Sequence, residues 1–366
     1  MKFISPRERI EAAFAHQEAD RVPVFDVANN PLLYTHSLGE PNTYYDGPPA
    51  VRLAKKLGLD AAMVPAGNYT GLIKREHKWS GPGRFTDSLG VSFKVMESSW
   101  PLAVAEEISL DEELLESMTN ADLQPWETAD AGAAAAEAHQ GKKDDIALFG
   151  GVRSSFGHLY MLGGMLNLTE SIYDRTDFLK QLIKASTDYW TRTGLRLIEL
   201  GVDALYVAND MGMNNSTIIS PEHLRALFLP PFKEQLETWK EAGGKIILHS
   251  CGDIRSLLPD LAEMEIDGLN NLQEKAGMDI GEVKKQYGNK WTLIGNVDAT
   301  DVMTSEHPEK IEEAVDSLLR RAASGGGLIA ATDHSFHKGI PLENVFRFIE
   351  YVRKMGRYPL RKEYAS

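Results

Sequence analysis

The feature that most constrains this chain is an alternation. Short apolar runs, each followed by a longer helical pattern, recur along its length. The first four runs are RVPVFDVA (21–28), AAMVPA (61–66), ALFGGV (147–152) and DALYVAND (203–210). KIILHSCGD, DGLNNLQ, WTLIGNVD and GGLIAATDH follow at similar spacing. Apolar runs of this length suit strands covered on both faces, as in parallel sheets. Strands that alternate with helices imply βα units, and eight such units predict closure into a (β/α)8 TIM barrel of the α/β class. An open, doubly wound sheet is the main rival.

The alternation is interrupted once. Between 76 and 96 the chain reads EHKWSGPGRFTDSLGVSFKVM, with turn residues separating short alternating runs. That pattern predicts a small β-hairpin or meander inserted after strand 2. With no internal repeat, low-complexity tract or linker, residues 1–366 read as a single barrel domain carrying this insertion. Ser5 before Pro6 predicts a capped helix to about residue 16. Further helices are expected near 50–57, 132–140, 177–200, 221–242 and 254–264.

Composition excludes more than it selects. The single cysteine, Cys251, rules out an internal disulfide and fits a reducing compartment. The N-terminus is charged and lacks an apolar signal core, and no run approaches the roughly 20 apolar residues of a membrane span. A cytoplasmic location is therefore expected. A formal charge of −14 opposes binding to nucleic acid or an anionic membrane. It is compatible with a homodimer.

In a barrel of this kind chemistry gathers at the C-terminal ends of the strands. Here those ends are repeatedly polar. The fourth strand ends in Asn209 and Asp210, the sixth in Asn271 and Gln273, the seventh in Asn296 and Asp298. The fifth ends in His249 and Cys251, two apart, so both side chains can face one way. Imidazole and thiolate together suit zinc, although a packed cysteine beside a hydrogen-bonded histidine explains the pair equally well. A third ligand has to come from another strand end. His334 is the best placed, with His337 nearby and Asp333 as a substitute ligand or a group that orients the histidine. Asp210 and Asp298 are candidate acid/base groups, against the plainer role of capping the following helices. Arg153 and His158, in GGVRSSFGHLY, are candidates for the substrate pocket with Asn209, Asn271, Gln273 and Asn296.

The segments KIILHSCGD, DGLNNLQE, YGNKWTLIGNVD and DHSFHKGIPLENVFRFIEYVRKMGRY resemble the uroporphyrinogen decarboxylase superfamily in order and spacing. SPRERIEAAFAHQEADRVPVF and GPGRFTDSLGVSFK extend the resemblance over nearly the whole chain. The decarboxylase branch implies an arginine-rich loop after the first strand that clamps a tetrapyrrole's carboxylates. Here the loop is VFDVANNPLLYTHSLGEP, without an arginine, so a decarboxylase would leave those charges unpaired.

The second branch comprises zinc-dependent methyltransferases that work with a corrinoid protein. Its pattern of a histidine and a cysteine one residue apart falls on His249 and Cys251. Its third ligand, a cysteine in the coenzyme M enzymes, falls on His334 when counted back from PLEN. The resemblance thus implies Zn2+ held by His249, Cys251 and His334, with a corrinoid (cobalamin) supplied by a partner protein. Imidazole in place of thiolate raises the site's net charge and its Lewis acidity. That favours O-demethylation of a methoxylated aromatic, with Asp210 positioning substrate or donating a proton and Asp298 orienting the site. The alternatives are a methylated amine or thiol as donor, a methylcorrinoid:thiol methyltransferase, a metal-free decarboxylase, and a non-catalytic corrinoid-binding barrel.

Overall fold

The computed structural model describes residues 4–39, 47–65, 107–120, 128–141, 145–362 and 364, with the backbone of four short strands between 78 and 105. The strands are β1 (Ala28–Asn29), β2 (Ala61–Pro65), β3 (Lys78–Gly81), β4 (Arg84–Thr86), β5 (Ser92–Val95) and β6 (Ala103–Ala105). They continue as β7 (Ala147–Arg153), β8 (Ala204–Ala208), β9 (Ile246–His249), β10 (Gly268–Asn270), β11 (Thr292–Val297), β12 (Leu328–Thr332) and β13 (Phe336–His337). Seven of them form one parallel sheet in the order β12-β11-β10-β9-β8-β7-β2. Each is joined to the next through helices, as the alternation requires.

The expected first strand closes the ring, but not as a regular strand. Phe25 N donates to Ala330 O (3.0 Å) and Ala330 N to Pro23 O (2.9 Å), while Asp60 N donates to Val24 O (2.8 Å). Residues 23–25 thus join β12 to the start of β2. Pro23 has no N–H to offer a ladder, and continuous pairing resumes only where β1 lies parallel to β13.

Alternation along the strands separates two cores. Phe25, Phe149, Tyr206, Ile247, Ile294 and Ile329 pack together inside the barrel. The opposite faces pack against the helices in a larger core. Burying a large apolar side chain contributes about 1.5–3 kcal/mol, so the inner row alone strongly favours closure. Continuing that row by twos towards the C-terminal ends reaches Arg153, His249, Asn296 and Asp333. The same periodicity that fills the barrel therefore aims these polar groups at its mouth.

The first helix, Pro6–Phe14, opens on a capping box: Glu8 N donates to Ser5 Oγ (3.2 Å) and Ser5 N to Glu8 Oε2 (2.7 Å). A helical stretch that the sequence reading leaves out follows β7, from Ser155 to Asp174, broken at Gly164 (φ 73°). The expected helix 221–242 is present but widens into a π turn at Leu224–Phe228, just before Pro230 and Pro231, which lack donors for the helical ladder. The helix expected over 254–264 is only a 3-10 turn, Arg255–Leu257, and Leu258–Leu261. The insertion is a four-stranded antiparallel meander, β3 to β6, reaching Ala105 instead of ending near 96. Among the described residues no helix is long and apolar enough to cross a membrane.

Candidate metal centre

His249 ends β9 on the same strand face as Ile247. Its Nδ1 lies 2.6 Å from Tyr206 Oη and 2.6 Å from Asn270 Oδ1. Asn270 donates its amide nitrogen to Ile294 O (3.0 Å), which turns its oxygen towards the histidine and Tyr206. An amide oxygen only accepts, so Nδ1 carries the proton. The other ring nitrogen, Nε2, lies on the side of Cys251 and Asp210. This is the arrangement of a metal-ligating histidine braced from behind.

Three donor atoms meet there. His249 Nε2 is 3.8 Å from Cys251 Sγ and 3.5 Å from Asp210 Oδ1. The ligand atoms of Asp210, His249 and Cys251 all lie within 4.8 Å of one another. Backbone geometry sets this convergence. Cys251 N donates to Asp210 Oδ1 (2.8 Å), and Gly252 N to Gln273 Oε1 (2.7 Å). Gly252 has φ +78°, and a Cβ there would lie 2.2 Å from Gly212 C. The turn that presents Cys251 thus needs glycine.

The thiol stands in an environment hostile to its own anion. Burial, followed by the neighbouring Asp210 and Asp333, pushes the Cys251 thiol well above its usual range, against a contact from Asn271 Nδ2 (3.0 Å). Burial and then His249 push His334 down to about 3, so its imidazole is neutral. Its ring centre is 6.1 Å from that of His249, nearly perpendicular. Two imidazoles on one tetrahedral zinc, each with Zn–N of about 2.0–2.1 Å, have ring centres roughly 5 Å apart, closer than His249 and His334 stand here, and His334 lies outside the cluster formed by the other three donors. The donor types, imidazole, thiol and carboxylate, are those that zinc takes.

The other predicted residues divide into two groups. Asn271, Gln273 and Asn296 brace the loops at the mouth, Asn296 through Nδ2 to Leu272 O (3.1 Å). Asp333 accepts from Ala299 N (2.8 Å), and burial raises its carboxyl to about 6. Arg153 lines a small cavity of about 40 Å³ that also touches Tyr206 and Trp190.

The remaining four are engaged in local structure. Asn209 Oδ1 accepts from Gly157 N at the start of a helix. His158 is fully buried, its Nδ1 2.8 Å from Ser186 Oγ and its ring against Trp190. Asp298 takes the backbone N–H groups of Thr300 and Asp301 and pairs with Lys275 at 2.8 Å. His337 lies 3.0 Å from Ala299 O and accepts from Gly339 N (3.1 Å), leaving neither nitrogen open. Tyr206 and Asn270, which hold His249, are absent from the sequence reading as site residues. Their one signal is position: both lie on strands beside β9, Asn270 opposite His249 and Tyr206 opposite Ile247.

Comparison with known proteins gives the chain a family. The family model described as "Uroporphyrinogen decarboxylase (URO-D)" matches residues 86–355. A methylcobamide:CoM methyltransferase MtaA from Methanosarcina barkeri is 23% identical over 202 residues, 55% of this chain and 56% of that protein. A methylated-thiol–coenzyme M methyltransferase from Methanosarcina mazei is 25% identical over 198 residues, 54% of this chain and 50% of that protein. The matches to these curated relatives thus span about half of their length. A solved methyltransferase from Methanosarcina mazei shares the fold, with a TM-score of 0.68 at 19% identity over 96% of this chain and 99% of that one.

Proposed function

The chain belongs to the uroporphyrinogen decarboxylase (URO-D) family, and within it we propose that it is a zinc-dependent methyltransferase acting with a corrinoid protein. The observation that carries this reading is the meeting of His249 Nε2 and Cys251 Sγ, 3.8 Å apart, at the barrel mouth, with the Asp210 carboxylate beside them. The methyltransferases that it resembles add support. His249, Cys251 and His334 hold the ion, and Asp210 faces the position left for substrate. Zinc, when bound, supplies a Lewis acid that stabilises negative charge on the atom losing or gaining methyl.

The chain's own residues do the rest. Tyr206 and Asn270 keep the His249 proton on Nδ1. Asn271 donates to the Cys251 sulfur, and Gln273 holds the turn that presents it. Asp210 keeps 39% of its side chain accessible; against its burial, His249 and the Cys251 N–H hold its carboxyl below the ordinary value, so it is ionised and positions substrate as an acceptor. The methyl donor is a small methylated substrate. With one cysteine among the donors and neutral imidazoles beside it, the site carries more positive charge than a two-thiolate zinc site. A departing phenolate from a methoxylated aromatic suits that charge. A second reading, transfer from a methylcorrinoid to a thiol, is favoured by the activities for which the two relatives are named.

The test is metal content of the purified protein after zinc is supplied. Wild type is expected to hold about one zinc per chain, as a catalytic site with an open position does. Cys251→Ser and His334→Ala are expected to lose it, and Asp210→Asn to keep it. Loss in Asp210→Asn with retention in His334→Ala would exchange the roles of those two residues. A wild type that takes up no zinc sinks the methyltransferase reading and leaves a metal-free, decarboxylase-like reaction.

A further inference from the structure

The N-terminal end of the barrel, opposite the metal centre, carries a second concave site. A cavity of about 510 Å³ is lined by Arg9, Arg21, Arg353, Lys354 and Arg357, with Asp20 and Glu350 as its carboxylates. Five cations against two acids is unexpected in a chain of net charge −14. Arg9 and Arg21 are matched, the former by Asp20 and both by Asp60. Arg353, Lys354 and Arg357 are exposed and make no side-chain hydrogen bond or ion pair with any described residue.

These cations are held together instead of being allowed to spread. Arg21 and Arg357 face each other across an isolated antiparallel bridge, with Val22 N donating to Gly356 O (2.8 Å). Like charges placed opposite each other across a bridge are destabilising. The Arg353 guanidinium packs against Gly58, where an added Cβ would lie 2.6 Å from Nη1. Burial, then Arg21 and Arg9, hold Arg353 below its ordinary value. The C-terminal end of the helix Leu342–Met355 accounts for attraction of one or two cations. It does not account for Arg21 and Arg357 being fixed side by side.

We propose that this cavity is a binding site for a small polyanion, a molecule carrying phosphate groups or clustered carboxylates. The guanidinium forks match planar oxyanions bidentately, and the volume lies within the roughly 300–1,000 Å³ of small-ligand pockets. The site needs neither the metal nor the mouth.

The experiment is calorimetric titration of the purified chain at fixed ionic strength with inorganic pyrophosphate and, separately, citrate. Saturable binding is expected in wild type, undiminished in Cys251→Ser and weakened at least tenfold in the double variant Arg353→Gln/Arg357→Gln. Tighter binding of pyrophosphate assigns the site to phosphates, and tighter binding of citrate assigns it to carboxylates. Absence of saturation, equal binding by the double variant, or loss of binding in Cys251→Ser overturns the proposal. Melting without any anion gives an independent check. The double variant relieves like-charge repulsion and is expected to melt at or above the wild-type temperature, whereas a clear fall would make the arginines structural and also overturn it.

Discussion

The two ends of the barrel both bury carboxylates, and they treat them in opposite ways. At the N-terminal end an aspartate stands immediately before each of three strands, in GLDAAM, GVDALY and EIDGLN. Each accepts from the backbone of another strand segment: Asp60 from Val24 N, Asp203 from Leu148 N, Asp267 from Ile246 N, at 2.7–2.8 Å. Each also meets a cation, namely Arg9 and Arg21, Arg7, or Lys240. At the mouth Asp26 accepts from Thr332 N and Val27 N, and Asp333 from Ala299 N. No cationic side chain of the described residues forms an ion pair with either. Burial accordingly raises Asp26 to about 7 and Asp333 to about 6. The same backbone-pinning device is neutralised at one end and left short of positive charge at the other. In the zinc reading proposed above, a divalent cation between His249 and Cys251 would supply what the mouth lacks, so charge balance serves stability at the lower end and chemistry at the upper.

The largest effect that can break this comparison is on the lower end. Asp60 has a fully buried side chain and takes two hydrogen bonds from Arg21 (2.7 and 2.9 Å) besides those from Arg9 and Val24. Asp60→Ala leaves the 9% exposed Arg21 without its partner. Breaking a buried pair from one side costs about 3–5 kcal/mol, to be read from urea unfolding. The matching change at the mouth, Cys251→Ser, is expected to alter metal-free stability by less than about 1 kcal/mol. Equal losses in the two variants would mean that the ends do not differ in kind.

A smaller effect sharpens the upper end. Asn270→Leu removes the acceptor that keeps the His249 proton on Nδ1 and leaves His249, Cys251 and His334, the proposed ligands, in place. Groups that orient a ligand histidine typically contribute 10–100-fold in metal affinity. Competition with a chromophoric chelator is expected to show a loss in that range, with Tyr206→Phe at its lower end because Asn270 Oδ1 still accepts from the ring. Unchanged affinity in both variants would show that His249 is not braced for a metal.

Much of this division was legible in advance and some was not. Eight apolar runs alternating with helices imply the barrel because burial on both faces leaves little other use for them. His249 and Cys251 stand out because imidazole and thiol two apart at a strand end can face one way, although the pair by itself reads equally well as packing. Tyr206, inside the run DALYVAND, reads as core, and its hydroxyl contact depends on a register with β9 that no local pattern encodes. The helix from Ser155 to Asp174 was hidden by Gly157, Gly163 and Gly164, and Gly164 does interrupt it. His158 and Asp298 look alike in sequence to the residues at the centre, polar and just past a strand. Ser186 and Lys275, brought in from 28 and 23 residues away respectively, take up their polar atoms. Polarity at a strand end is readable, whereas the partner that satisfies it is a tertiary fact.

The smallest effect tests the charge deficit itself and follows from its sign. An acid whose folded pKa lies above its unfolded value of about 3.9 favours folding while protonated, and that advantage is lost as pH rises through the folded value. For Asp333, at about 6, metal-free wild type should therefore lose stability relative to Asp333→Asn between about pH 4 and 6. The amide can still accept from Ala299 N through its oxygen, so the hydrogen bond survives the change. By pH 7 the variant is expected to be more stable by on the order of 1 kcal/mol, measured by urea unfolding across the range. Supplied zinc should narrow the gap, because the ion restores the charge that the ionised carboxyl misses. A variant less stable than wild type at pH 7 without metal would mean that Asp333 is already compensated, and the contrast between the two ends would rest on the thiol alone.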